Sequence, residues 1–145
     1  MIEYTVKVYD NYTVWSLNGK RHREDGPAVE HIDGTKTWWR NDKRHREDGP
    51  AIEYANGDKE WWIDGKRHRE DGPAIEYADG TKTWYRNNKR HRTDGPAVEC
   101  ADGSKKWYLD DKRVTEEEVL GKREYTLEEI ANALNVSVDK LRIKK

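Results

Sequence analysis

Trp15, Trp38, Trp61, Trp84 and Trp107 fall 23 residues apart with nothing inserted between them. In register with them run His22, His45, His68 and His91, then Asp25, Asp48, Asp71 and Asp94. Gly26, Gly49, Gly72 and Gly95 follow, each before a proline (Pro27, Pro50, Pro73, Pro96). A fixed period of this length makes each unit one supersecondary element that buries its apolar side only by stacking on its neighbours. The β-branched column Val29, Ile52, Ile75, Val98, preceded by Val6, gives four full units, a leading half unit and a closing strand.

Each unit reads as a hairpin. In "PAIEYANGDKEWWID" the dipeptide Asn56-Gly57 separates two short runs of strand formers, and Asp33-Gly34, Asp79-Gly80 and Asp102-Gly103 repeat it. Such dipeptides favour two-residue hairpin turns. Counting outward pairs Ile52 with Trp61 and Glu53 with Glu60. It puts Ile52, Tyr54, Trp61 and Ile63 on one face and Ala51, Glu53, Glu60 and Trp62 on the other. The expected core is a tryptophan ladder beside a Val/Ile ladder, in a sheet on the order of 45 Å long at about 10 Å per unit. Only 33% of the residues are hydrophobic and 39% are charged, yet 15 are Trp or Tyr. That balance suits a thin, elongated structure with a narrow apolar seam rather than a thick globule or a disordered chain.

A second corner follows each hairpin. Asn18-Gly19, Asp64-Gly65, Asn41-Asp42, Asn87-Asn88 and Asp110-Asp111 read as tight turns. "RxDGPA" then makes a wider bend, with Asp capping amides, Gly supplying positive φ and Pro fixing entry to the next strand.

These residues resemble the MORN repeat, whose units also run 23 residues. The closer likeness is to a MORN-variant of phage, giant-virus and bacterial proteins with the pattern "W…NGK.HR.DGPA…..DG". It covers Val6 to about Arg113. The resemblance implies an antiparallel β-hairpin repeat solenoid over residues 1–113. It associates such arrays with membrane lipids and with protein scaffolding. The "HREDGP" bend departs from the family's "HGxG" and sets the lipid role aside. A phage setting suggests interference with a host defence system, in the manner of an anti-CRISPR protein acting in the host cytoplasm.

Residues 114–145 leave the repeat. Thr115 with Glu118 and Thr126 with Glu129 are capping boxes, Gly121 is a stop, and Leu127, Ile130, Ala131 and Leu134 share a helical face. The preferred reading is a small C-terminal helical cap on the array, since such arrays need capped ends. "TLEEIANALNVSVDKLR" also resembles the first half of a helix-turn-helix, and the Val138, Leu141, Ile143 pattern would equally make a closing strand. Lys140, Arg142, Lys144 and Lys145 give a basic tail.

Several functional classes are disfavoured. His68 and Asp71 repeat in every unit without a recurring nucleophile, whereas catalysis needs one unique site, and zinc needs three or four converging ligands. No enzyme, cofactor or metal is expected. Cys100 alone makes no internal disulfide. The amino terminus lacks a signal-peptide plan and no apolar run spans a bilayer, so a cytoplasmic, membrane-free protein is expected.

The expected function is non-enzymatic binding of a protein partner. Its anchors are the second aromatic column, Trp39, Trp62, Tyr85 and Tyr108, taken as the exposed sheet face, with Arg23, Arg46, Arg69 and Arg92 in the loops. The alternative is nucleic-acid binding through Lys20, Arg21, Lys43, Arg44, Lys66, Arg67, Lys89 and Arg90 and the basic tail. The acids beside these runs and a formal net charge of −1 weigh against it, and local Arg–Asp and His–Asp pairing that fixes the loop is the preferred reading of the runs. Self-association through the aromatic face is a further expectation.

Overall fold

The structure is a computed structural model and describes residues 1–121 and 124–141. Among the described residues it is mainly β, with 18 strands and two short helices. The first hairpin comprises β1 (Thr5–Val8) and β2 (Tyr12–Leu17), with β3 (Lys20–Arg21) folding back on β2. Three units then contribute four strands each. They are β4–β7 (Val29–His31, Lys36–Thr37, Trp39–Arg40, Lys43–Arg44), β8–β11 (Ile52–Glu53, Lys59–Glu60, Trp62–Ile63, Lys66–Arg67) and β12–β15 (Ile75–Glu76, Lys82–Thr83, Tyr85–Arg86, Lys89–Arg90). β16 (Val98–Glu99), β17 (Lys105–Leu109) and β18 (Lys112–Val114) complete the fourth.

The strands form two rows. The inner row is one antiparallel sheet in the order β1-β2-β4-β5-β8-β9-β12-β13-β16-β17-β18. The outer row is a series of two-stranded hairpins, β6-β7, β10-β11 and β14-β15. Between the rows each chain kinks at its tryptophan. Trp38 N–H donates to the Ala51 carbonyl of the next unit (2.8 Å), and the Trp38 carbonyl accepts from His45 N–H (3.2 Å). Trp15, Trp61 and Trp84 repeat both bonds. Outer hairpins are stitched to one another as well, through Asp42 N–H to Arg21 carbonyl (3.0 Å) and Gly65 N–H to Arg44 carbonyl (2.9 Å).

The inner turns differ from the expectation. Gly57 N–H donates to the Tyr54 carbonyl and Tyr54 N–H to the Asp58 carbonyl, so the loop holds three residues, Ala55-Asn56-Gly57. Only the glycine is left-handed (φ 96°); Asn56 is not. This is a turn followed by a glycine bulge, which an Asx-Gly dipeptide serves as readily as a two-residue turn. The register moves by one, to Ile52 opposite Glu60 and Glu53 opposite Lys59. A one-residue slip exchanges the faces, so the expected tryptophan ladder opposite isoleucine does not form.

One row of directly opposed residues instead crosses the sheet from β1 to β17. It reads Lys7, Val14, Val29, Thr37, Ile52, Glu60, Ile75, Thr83, Val98, Lys106. Val29, Ile52 and Ile75 are buried beside Ala28, Ala51, Ala74 and Ala97, which are fully enclosed. The first hairpin alone keeps the two-residue register: without glycine at Asp10-Asn11, Tyr9 N–H bonds the Tyr12 carbonyl and Val6 lies opposite Trp15. That shift is what brings Lys7 into the row.

The outer turns match expectation. Asn41-Asp42 (φ 50° and 64°), Asp64-Gly65 and Asn87-Asn88 are left-handed at both central residues, as tight hairpins require. At the carboxyl end both capping boxes form. α1 (Glu116–Leu120) is capped by Thr115 and ends at Gly121, and α2 (Leu127–Leu134) is capped by Thr126. α1 lies against β17, while α2 contacts a 3-10 turn, Val138–Lys140. Val138 and Leu141 therefore form neither a closing strand nor a recognition helix, and Arg142–Lys145 lie outside the described residues. Among the described residues no helix is long and apolar enough to cross a membrane.

Candidate functional site

The "KRHR" run sends its two arginines to different places, because the strand ends at its first arginine (Lys43–Arg44) and the chain then turns into the bend, so strand alternation no longer sets the direction of the second. Arg46 turns inward. Its guanidinium stacks 3.9 Å from the Trp38 ring centroid while Nε donates to Asp48 (2.9 Å) and Nη1 to the Pro50 carbonyl (3.1 Å) and Glu53 (3.0 Å). Arg23 on Trp15, Arg69 on Trp61 and Arg92 on Trp84 repeat the same four contacts. These guanidiniums are about one-fifth exposed, with Nε and Nη1 engaged within the chain.

The glycine of the bend makes room for this arginine. A Cβ on Gly49 would sit 2.9 Å from Arg46 Cζ, and one on Gly95 2.6 Å from Arg92 Cζ. None of the four bend glycines is left-handed, so the expectation of positive φ there is corrected: the position needs hydrogen for space. The loop recurs because Trp, Arg, Asp, Gly and Pro together form one internal staple.

Arg44, two residues earlier, turns outward. It lies between Trp39 and Trp62 (5.0 and 5.1 Å), within a ladder that continues through Arg67 beside Trp62 and Tyr85 and Arg90 against Tyr108. Arg21 starts it, 3.7 Å from Trp39. The two candidate sets read separately from the sequence thus interleave on the outer row. Trp62 is buried and Trp39, Tyr85 and Tyr108 are partly buried, so this column is not the open aromatic face expected. Glu60 explains the depth of Trp62: its carboxylate, 12% exposed, accepts from Trp62 Nε1 (2.8 Å), Arg67 Nε (3.2 Å) and Tyr54 hydroxyl (3.2 Å). Burial and the Glu60 charge push the Tyr54 phenol above its usual range.

Charge is unevenly shared between the outer row and the bends beside it. The outer segments 16–21, 39–44, 62–67, 85–90 and 108–113 carry twelve Lys or Arg against four Asp. Asp42 answers Arg21 (2.8 Å) and Asp111 answers Arg90 (2.8 Å), and both carboxyls are held below the ordinary aspartate range by those hydrogen bonds. Lys20, Lys43, Lys66 and Lys89 are exposed and, among the described residues, make no ion pair. The adjoining bends hold acids, Glu24, Asp25, Glu47, Asp48, Glu70, Asp71 and Asp94, each more than 60% exposed, and Arg40 of the outer row reaches Glu47 at 3.4 Å.

Between successive bends lie grooves of about 730, 750 and 520 Å³, floored by the tryptophans and walled by loop side chains. The histidines stand in their walls. In every unit Nδ1 accepts a backbone N–H from the next outer turn: Asn41 to His22, Asp64 to His45, Asn87 to His68 and Asp110 to His91 (3.0–3.2 Å). Among the described residues no three His, Cys, Asp or Glu converge as a metal site. The Arg–Asp pair expected to fix the loop forms in every bend, while sequence reading missed the stacking of that arginine on tryptophan and the histidine bridge, although the invariant 23-residue spacing of Trp, His and Arg was their signal. Comparison with protein-family models finds no match for this chain, and comparison with curated proteins finds none.

Proposed function

We propose that the chain is a non-enzymatic binding protein that takes a protein partner with an acidic surface along its outer row. The observation that supports this is the coincidence there of aromatic rings, stacked arginines and the free lysines Lys20, Lys43, Lys66 and Lys89, all repeated at one spacing. Aromatic residues and arginine held rigid beforehand lose little entropy on association, which suits interface anchors. The resemblance to MORN-variant repeats supplies the setting we attach to it: a phage-encoded inhibitor engaging a host defence complex in the host cytoplasm. The inner arginines Arg23, Arg46, Arg69 and Arg92 are not part of this surface, being consumed by the staple.

A second reading, nucleic-acid binding, is favoured by the same free lysines, which would track a phosphate backbone. One experiment separates the two. Wild-type chain and the Lys43→Glu, Lys66→Glu, Lys89→Glu triple variant are used to capture partners from bacterial lysate with and without nuclease, with circular dichroism as the folding control. Capture of one defined protein that survives nuclease and is lost in the triple variant is the expected result. Capture that disappears with nuclease and falls steeply with salt assigns nucleic acid instead, and capture unaffected by the triple variant removes the outer row from both readings.

A further inference from the structure

A surface repeated four times offers a partner four equivalent registers, and one unit departs from the repeat at a chemically telling point. In the first three bends a glutamate two residues after the histidine faces its Nε2: Glu24 at 3.7 Å from His22, Glu47 at 3.1 Å from His45 and Glu70 at 2.7 Å from His68. In the fourth, Thr93 replaces the glutamate, and His91 Nε2 is enclosed with no hydrogen-bond partner. Its ring is 11% exposed and held by Asp110 N–H at Nδ1 (3.1 Å). Asp110 Oδ1 also lies 3.1 Å from Nδ1. The amide donation recurs in all four units, including the two with asparagine at the turn, so Nδ1 is the acceptor and the neutral ring carries its proton on Nε2.

We propose that His91 Nε2 is an anchor for a carboxylate supplied from outside the chain, an aspartate or glutamate side chain of a protein partner. The approach is sterically established by the sister units. Glu47 and Glu70 are 73% and 88% exposed and still reach Nε2, so a carboxylate arrives from the solvent side over the bend. Thr93 is shorter and supplies no acceptor there, so Nε2 is closed off without a partner, and the incoming carboxylate has to displace what covers it. The groove flanking it, between the third and fourth bends, carries Glu70, Asp71 and Asp94, one carboxylate fewer than each of the other two grooves, so an incoming anion meets less repulsion. Tyr85 and Arg86 line the same groove and belong to the outer row, so one partner can span both. A buried donor left unpaired is costly and a charged acceptor repays it well. The single aberrant unit thereby fixes which register a partner adopts. The anchor itself stands without the protein-binding reading; only its role in setting register rests on that reading.

The test is a titration of the full chain with sodium acetate at constant ionic strength, following the imidazole Cε1–H and Nε2 resonances of all five histidines. The expected result is a saturable shift at His91, with His22, His45 and His68 moving only as in a chloride control. Thr93→Glu supplies the missing acceptor internally and is expected to weaken the acetate response by roughly tenfold or more, the worth of one charge-assisted hydrogen bond. Thr93→Val is expected to retain it, since the hydroxyl takes no part. The proposal is overturned if His91 moves no more than the other histidines, if Thr93→Glu responds like wild type, or if Thr93→Val loses the response. Inorganic phosphate run in parallel reassigns the anchor to phosphate, and overturns the carboxylate, if it binds more tightly than acetate. Loss of partner capture in the outer-row lysine variant, with the acetate response intact, would show the two readings failing or standing separately.

Discussion

Arg44 and Arg46 stand two residues apart in one tetrapeptide and do opposite things. Arg46 is closed on all sides by Trp38, Asp48, the Pro50 carbonyl and Glu53. Arg44 lies between two rings, and its Nε has no hydrogen-bond partner. The inner arginine completes a fold that has few apolar residues to bury; the outer one makes a surface. Identical chemistry is divided into structure and surface by the point at which the strand ends and the bend begins, so a basic run in a β-repeat should be scored residue by residue and not as a patch.

The largest break in this comparison is Arg46→Ala. Losing a stacked, triply bonded guanidinium and leaving Glu53 unanswered is expected to cost about 2–4 kcal/mol in urea unfolding. Arg44→Ala should cost about 1 kcal/mol or less, because it removes ring contacts but also an unsatisfied donor. Equal losses would erase the distinction. Gly95→Ala comes next: forcing Arg92 off Trp84 should cost about 1–3 kcal/mol, as overpacking does. Gly26→Ala should cost less, since its Cβ meets Arg23 at 3.1 Å rather than 2.6 Å.

The triple lysine reversal at Lys43, Lys66 and Lys89 should change stability by only about 0.5 kcal/mol while abolishing partner capture. The smallest effect is in acid. Arginine hydrogen bonds hold Asp48, Asp71 and Asp94 in the inner column, and Asp42 and Asp111 in the outer, below the ordinary aspartate value of about 3.9. Depressed folded values mean this stabilisation is complete above about pH 4 and is lost as pH falls through them. Asp71→Asn should therefore unfold with a shallower acid limb than wild type, followed by tryptophan fluorescence.

The period, the hairpins, the outer turns and both helix caps were legible because each rests on residues adjacent in sequence. Thr115 with Glu118 and Thr126 with Glu129 needed nothing distant. The inner register was not legible, because Asn56-Gly57 is compatible with a two-residue turn and with a three-residue bulged one, and pairing with the neighbouring unit decides between them. The same slip concealed the site. With Ile52 placed opposite Trp61, Trp62 falls on an open face, whereas opposite Glu60 it sinks under that carboxylate. The histidine bridge spans 19 residues and joins two corners that no local pattern connects.

The row that crosses the sheet begins at Lys7 and ends at Lys106. A sheet assembled from near-identical units is a template for its own growth, since a further strand would find at either end the partner that every internal strand already has. The altered first hairpin and β17 place an ammonium group where that newcomer would set its β-branched side chain, while β18 already pairs the rest of β17 and α1 rests against it. The repeat thus carries its own full stops: a length written into the chain in place of a fibre whose length nothing would decide.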